Sequence, residues 1–305
     1  MGKKEAGSCI RLRRPTMEFD HRRDIEVGKR FAFGANWRRF LNSIDDYKVG
    51  LAEQSLRRTL RMNDLSGVHF LDVGSGSGLF SLAARRLGAV VTSFDFDPES
   101  VATTLELRKR YLPNDGHWVV EDGSVLDPNY LSTLGESEVV YSWGVLHHTG
   151  AMWTALENVT RLVARDGLLV LALYNDQGRM SSIWLWIKRF YNKLPSVLRW
   201  LVVGPALLRL WGPTCVRDIC LGRPFYSWRN YVKDSARGMS PWHDLIDWVG
   251  GLPFEVAKPE HLLDFCRERG FQLIRLKTCA GGIGCNEYVF RKTDSKSVLN
   301  FDAPE

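Results

Sequence analysis

The sequence has no uninterrupted apolar run approaching the roughly 18 residues of a membrane-spanning helix, which predicts a chain that does not span a bilayer. The opening MGKKEAGSC is charged but carries no apolar core region, so no secretory signal is expected, and Ala6 stands where a myristoylation pattern wants Ser or Thr. The six cysteines (Cys9, Cys215, Cys220, Cys266, Cys279 and Cys285) form no CxxC pair and no metal-ligand spacing, which predicts reduced thiols in a cytoplasmic protein. No Gly-Lys-Ser/Thr follows a glycine-rich turn, which excludes a P-loop. Internal repeats and low-complexity tracts are also missing. What remains is an ordinary globular composition, 45% apolar and 25% charged over 305 residues. That length holds one large α/β domain or a domain with a sizeable insertion.

The first thirty residues are polar and mixed in charge, and are expected to be partly disordered. FAFGANWRRFL (31–41) gathers aromatics, and 44–62 has helical spacing through Leu51, Leu56 and Leu60. From Val68 short apolar strands alternate with helices. The strands are VHFLDV, VVTSFD, HWVVE, EVVYSW and GLLVLALY; the helices between them include LFSLAARRL and a segment opened by Pro98. This alternation predicts a parallel sheet covered on both faces. After Tyr174 the rhythm breaks, and prolines at 195, 205, 213 and 224 are expected to cut 176–238 into short helices. It resumes with KPEHLLDFCRERG, closed by Gly270, and with FQLIRLKTC and NEYVFRK, two strands suited to antiparallel pairing.

In a doubly wound sheet the ligand sits at the carboxyl ends of the strands, where the strand order switches. FLDVGSGSGLF (70–80) places Gly74, Gly76 and Gly78 after the first strand. The spacing is GxGxG, so Leu79 occupies the place of the third glycine of a dinucleotide fingerprint. Asp95 ends the second strand, where a carboxylate can accept hydrogen bonds from both hydroxyls of a ribose. Asp72 adds negative charge beside the turn, which repels a phosphate and suits a cationic ligand.

Five segments in order carry a family resemblance: LDVGSGSG (71–78), FDFDPESV (94–101), EDGSVLD (121–127), VVYSWGVLHHTG (139–150) and LENVTRLVARDGLLVLALYN (156–175). The chain resembles the class I S-adenosylmethionine-dependent methyltransferases, and more loosely their ubiquinone-biosynthesis O-methyltransferase subgroup. The resemblance implies a Rossmann-like, seven-stranded, mostly parallel sheet with an antiparallel last strand, interrupted here by a helical insertion. It also implies S-adenosyl-L-methionine as cofactor. Gly74, Gly76 and Gly78 would contact its methionine part and Asp95 its ribose, with Ser75 and Phe96 also among the cofactor-binding residues. Gly123, Ser124 and Val125 would meet the adenine, whose amino contact falls to Asp122 or Ser124. Trp143 would line the methyl-transfer site. N-terminal helices cover the cofactor in that family, which lays FAFGANW and Trp37 over it.

The domains expected are an N-terminal extension (1–66), the core (67–175 and 256–293), a basic Trp-rich insertion (176–255) and a tail (294–305). Methyl transfer to a hydroxyl needs a base. Candidates are His243, His148, His147 and Tyr174. His148 matches a histidine frequent after the family's fourth strand. His243 follows Trp242 at a place comparable to a Thr-His pair of the subgroup, although Ser240 and Pro241 also suit a helix cap with His243 in its first turn. The subgroup's carboxylates after the fourth strand are missing from WGVLHHTG, which predicts metal independence.

Within 176–238 eleven Lys and Arg face three Asp, a surplus of eight that exceeds the whole chain's net charge of +6. Aromatics are interleaved with these cations. Three readings stay open, in this order: a helical lid, a surface for an anionic membrane through 179–237, and a nucleic-acid surface. The segment after the fourth strand lacks the Asn/Asp-Pro-Pro-aromatic motif of base-amino methyltransferases, which weighs against the third. The function expected is methyl transfer to a small-molecule acceptor, at a hydroxyl or carboxylate oxygen, in a cytoplasmic protein. The alternatives are a nucleic-acid methyltransferase and a non-catalytic cofactor-binding module that recruits a partner.

Overall fold

The computed structural model describes residues 15–234 and 240–293, and the side chains of 21–231 and 240–293. The tail expected at 294–305, Cys9, and the side chains of Lys233, Asp234 and Arg237 lie outside the described residues.

Seven strands form one sheet: β1 (His69–Val73), β2 (Val90–Asp95), β3 (Trp118–Asp122), β4 (Ser137–Trp143), β5 (Val163–Tyr174), β6 (Phe271–Lys277) and β7 (Cys285–Lys292). Their order is β3-β2-β1-β4-β5-β7-β6. β1 to β5 pair in parallel, and β7 enters antiparallel to both neighbours, β5 and β6. The order reverses between β1 and β4, which opens a crevice at their carboxyl ends. The parallel core and the antiparallel last strand are as the sequence reading expects. β5 starts earlier, at Val163 instead of Gly167, because Val163 pairs with Ser137 once the preceding helix has ended at Arg161.

Twelve helices among the described residues surround the sheet. α1 (Pro15–Glu26), α2 (Phe33–Leu41) and α3 (Asp46–Leu60) precede it. α4 (Leu79–Arg86), α5 (Pro98–Tyr111), α6 (Pro128–Leu131) and α7 (Met152–Arg161) join its strands. α8 (Arg179–Lys193), α9 (Trp200–Cys220), α10 (Tyr226–Asp234) and α11 (Pro241–Gly250) form the insertion, and α12 (Pro259–Arg267) returns to the core. Alternate strand residues feed opposite faces: Phe70 and Val170 pack with Leu56 of α3 and Leu82 of α4. Leu71 and Leu169 pack instead with Leu156 of α7 and Leu262 of α12. A sheet covered this way buries every residue from Leu168 to Leu173, which explains why that strand reads as a continuous apolar run.

Within the first thirty residues, 15–26 are helical, and His21 is buried against the Phe96 ring and 3.6 Å from Asp97. One expectation is corrected. Pro205 and Pro213 do not divide the insertion, since α9 runs through both. A proline inside a helix frees the carbonyl four residues earlier. Those carbonyls belong to Leu201 and Arg209, which are exposed like the prolines themselves, so water can serve the freed acceptors.

Candidate functional site

A cleft of about 290 Å³ lies at the carboxyl ends of β1, β2 and β4. Its floor is the turn after β1. The Gly74 and Ser75 amides donate to the Phe94 carbonyl at 2.9 and 3.1 Å, which ties the turn to β2. Gly74 (φ +81°) and Gly76 (φ +55°) adopt left-handed backbone that side chains resist. A Cβ on Gly74 would meet Val145 Cγ1 at 2.4 Å, and one on Gly76 would meet the Trp37 ring at 2.9 Å. Glycine is therefore required twice, by conformation and by space. Gly78 starts α4 against Thr104 and does not line the cleft.

Asp95 faces this floor from the tip of β2. Its two oxygens accept from the Gly76 and Asp97 amides, each at 2.9 Å, which fixes the carboxylate toward the cleft. Burial, and then the neighbouring Asp97, push Asp95 up to about 7. Asp72, also in the cleft wall, accepts from the Ser81 hydroxyl, and burial pushes it up to about 6. The cleft floor thus has the buried Asp72 and the half-buried Asp95 beside it, and no Lys or Arg between Phe70 and Phe80. That donor set fits a ribose and a positive centre and fits a pyrophosphate poorly.

The roof comes from the N-terminal segment. Phe31, Phe33 and Trp37 line the cleft. Three remote contacts hold them there. The Gly34 amide donates to Asp97 Oδ2 at 2.7 Å, Asn36 Nδ2 donates to Asp247 Oδ1 at 2.6 Å, and Arg30 donates to the His148 carbonyl at 3.2 Å. A Cβ on Gly34 would strike Glu99 and Asp97, so the close approach of α2 to α5 depends on that glycine.

His147 and His148 stand side by side after β4, and both line the cleft. Their hydrogen bonds set opposite tautomers. The Tyr174 amide donates to His147 Nδ1 at 3.3 Å, so that nitrogen accepts and a neutral His147 carries its proton on Nε2. His148 Nδ1 lies 2.6 Å from the Pro253 carbonyl, which can only accept. A neutral His148 therefore donates through Nδ1 and keeps Nε2 as its proton-accepting nitrogen. Phe33 packs on the His148 ring at 4.7 Å, and Tyr174 on the His147 ring at 3.8 Å.

Phe96, Gly123, Ser124, Val125, Trp143 and Tyr174 also line the cleft. Asp122 pairs with Asp95 across β3 and β2 but is not a lining residue. His243 lies apart from the cleft lining, in the first turn of α11. Its Nδ1 is 2.6 Å from the Ser240 hydroxyl, and burial followed by Arg39 holds its pKa below the usual histidine range.

Several contributors escaped the sequence reading. Asp97 was legible as a helix cap before Pro98, and it does accept from the Glu99 amide, but nothing marked its second partner in α2. Arg30, Asn36 and Asp247 had no local signal. Lys188 is fully buried on α8, donates to the Trp248 carbonyl, and lies 4.6 and 4.7 Å from the Trp248 and Phe254 rings. Burial lowers its pKa to about 7, against the opposing pull of Asp247. Among the described residues, no group of three or more His, Cys, Asp or Glu is arranged to hold a metal ion.

A strand order switching between β1 and β4, a glycine turn at that switch and an acid on the next strand define a doubly wound, Rossmann-like nucleotide-binding fold. Residues 71–169 match the family model described as a methyltransferase domain. The chain is similar to a ubiquinone biosynthesis O-methyltransferase of Pelagibacter ubique, 22% identical over 163 residues, covering 53% of this chain and 59% of that one. The same-named enzyme of Haemophilus ducreyi is 29% identical over 119 residues, covering 38% and 49%. This chain thus spans about half the length of the curated relatives it matches. Among solved structures, magnesium protoporphyrin IX methyltransferase from Synechocystis PCC 6803 superposes with a TM-score of 0.47 at 14% identity, covering 90% and 94%.

Proposed function

We propose that the chain transfers a methyl group from S-adenosyl-L-methionine to a hydroxyl oxygen of a small, largely apolar acceptor, with His148 as the base. The observation that supports this best is the pairing, in one cleft, of the glycine turn and Asp95 with a histidine, His148, that the Pro253 carbonyl orients through Nδ1. The cofactor supplies an electrophilic methyl on a sulfonium that is already a good leaving group. Asp95 holds the ribose hydroxyls, using the lone pairs its two backbone bonds leave over. Asp72 offsets positive charge beside the turn. Phe31, Phe33 and Tyr174 keep water from the acceptor side and favour an apolar molecule. His148, oriented by the Pro253 carbonyl, takes the acceptor's proton as the oxygen attacks, while the protein aligns the two partners. A carboxylate acceptor would use the same seat and need no base.

The test has two parts. Calorimetric titration with S-adenosylhomocysteine should show saturable binding at one site, and its absence would overturn the seat. Labelled S-adenosylmethionine, offered with a panel of phenols, aliphatic alcohols, carboxylic acids and amines, should label hydroxyl compounds first. Labelling of amines alone would overturn transfer to oxygen.

A further inference from the structure

The insertion helices carry two apolar faces, and only one is used. On α8 the inward stripe Ser181, Trp184, Lys188 and Tyr191 is buried, packing toward α11 and the cleft wall at Tyr174. The opposite stripe, Met180, Ile183, Trp186 and Phe190, is exposed, with Trp186 and Phe190 stacked 5.5 Å apart. α9 repeats the arrangement. Val203 and Ala206 pack with α11, while Trp200, Leu201, Leu208 and Val216 face outward. Both helices lay their buried faces on α11 and leave these side chains exposed. Fourteen of the twenty exposed large hydrophobic side chains among the described residues fall between Met180 and Tyr226, so exposed apolar area is concentrated in the insertion helices.

Its charge is equally one-sided. From Arg179 to Arg229 the sequence has nine Lys and Arg and one acid, Asp218. Asp218 is buried, and its oxygens accept from the Ser227 amide and hydroxyl at 2.7 and 2.8 Å. Seven of the cations, including Arg189, Lys193, Arg209 and Arg217, are exposed. No exposed carboxylate interrupts the surface in this stretch.

We propose that the outer face of α8 and α9, with the Pro195–Arg199 turn between them, docks on an anionic lipid bilayer. Trp and aliphatic side chains enter the interface while the arginines and lysines meet lipid phosphates. A second copy of the chain fits worse, because two such faces would oppose cations with no acid to answer them. Nucleic acid fits worse too, because Ile183, Leu201, Leu208 and Val216 would be buried against sugar and phosphate without a polar partner. None of the described helices is long and apolar enough to cross a membrane, so the contact is peripheral. Docking would bring the helix that packs against Tyr174 to the bilayer, which suits delivery of an apolar acceptor. The surface itself holds for whatever group is methylated.

The experiment is sedimentation of the full chain, without cofactor, with vesicles of phosphatidylcholine alone or mixed with phosphatidylglycerol. Binding should require the anionic lipid and weaken as salt rises. Trp186→Ser with Trp200→Ser, and separately Arg189→Glu with Arg209→Glu, should each lower partitioning about tenfold or more, with the parent's melting temperature. The replaced side chains are exposed, so the fold does not depend on them; Trp186 and Trp200 are 66% and 67% exposed. No binding to either vesicle, or unchanged binding by both variants, would overturn the proposal. So would self-association abolished by the same substitutions without lipid, or salt-sensitive RNA binding in place of vesicle binding. Because no cofactor is present, failure here is distinguishable from failure of the methyl-transfer reading.

Discussion

The two halves of the cleft are built by different means. The side proposed for the cofactor, from β1 to β3, is made of backbone: a turn tied to β2, two glycines in left-handed conformation and an acid held by two amides. The side proposed for the acceptor is made of side chains that arrive from far along the sequence. His148 is oriented by a carbonyl 105 residues away, and its own carbonyl accepts from Arg30, 118 residues away. The first half answers to local rules of conformation. The second depends on how α2, α8 and α11 pack. The comparison predicts that substitutions on the two sides will separate cofactor affinity from turnover.

The largest effect should come from the acceptor side. His148→Ala removes the proposed base while leaving the glycine turn and Asp95 in place. Turnover should fall on the order of 10²- to 10⁴-fold, with S-adenosylhomocysteine affinity within about twofold of the parent by calorimetry. His243→Ala should change turnover less than about twofold, because His243 sits off the cleft and is engaged with its own helix cap. A collapse in His243→Ala with His148→Ala active would reverse the assignment.

The cofactor side should respond the other way. Asp95→Asn loses hydrogen bonds to an ionised acceptor, each worth roughly 1.5–3 kcal/mol. Affinity for S-adenosylhomocysteine should drop roughly tenfold to a hundredfold. pH sharpens the test. Burial raises Asp95 to about 7, so the free protein holds it protonated below that pH and ionised above. Ribose hydroxyls favour the ionised form, so affinity should climb as pH rises toward about 7 and then level off. Asp95→Asn should flatten that slope. A parent protein with pH-independent binding across this range would show that Asp95 does not hold the ribose.

This division also explains what the sequence disclosed. Strand alternation, the GxGxG turn and the acid closing β2 all act over a few residues, and each leaves a local pattern. The segment FAFGANW was readable as a roof only through family resemblance, since an aromatic cluster alone says nothing of where it packs. Pro205 and Pro213 misled because a helix boundary was inferred from chemistry that an exposed helix tolerates. The ordering of the histidines was out of reach. Nothing in VLHHTG says that one imidazole will receive an amide while the next donates to a carbonyl. That is decided by Tyr174 and Pro253, and only the folded chain brings them there. Nothing in the sequence sets Lys188 apart from the other ten cations of 176–238, yet its ammonium is enclosed by Tyr174, Trp248 and Phe254.

The smallest effect should appear where the two regions meet. Asn36 on α2 donates to Asp247 on α11 across 211 residues, and both side chains are buried. Asn36→Ala would leave Asp247 without that donor in a wall it shares with the cleft, a cost of about 1–3 kcal/mol. The chain should melt a few degrees lower, with a modest loss of cofactor affinity as the roof loosens and little change in turnover at saturation. If instead turnover falls while affinity and melting hold, the contact acts on the acceptor. Asp247 would then belong to the reacting side of the cleft as well as to its scaffold.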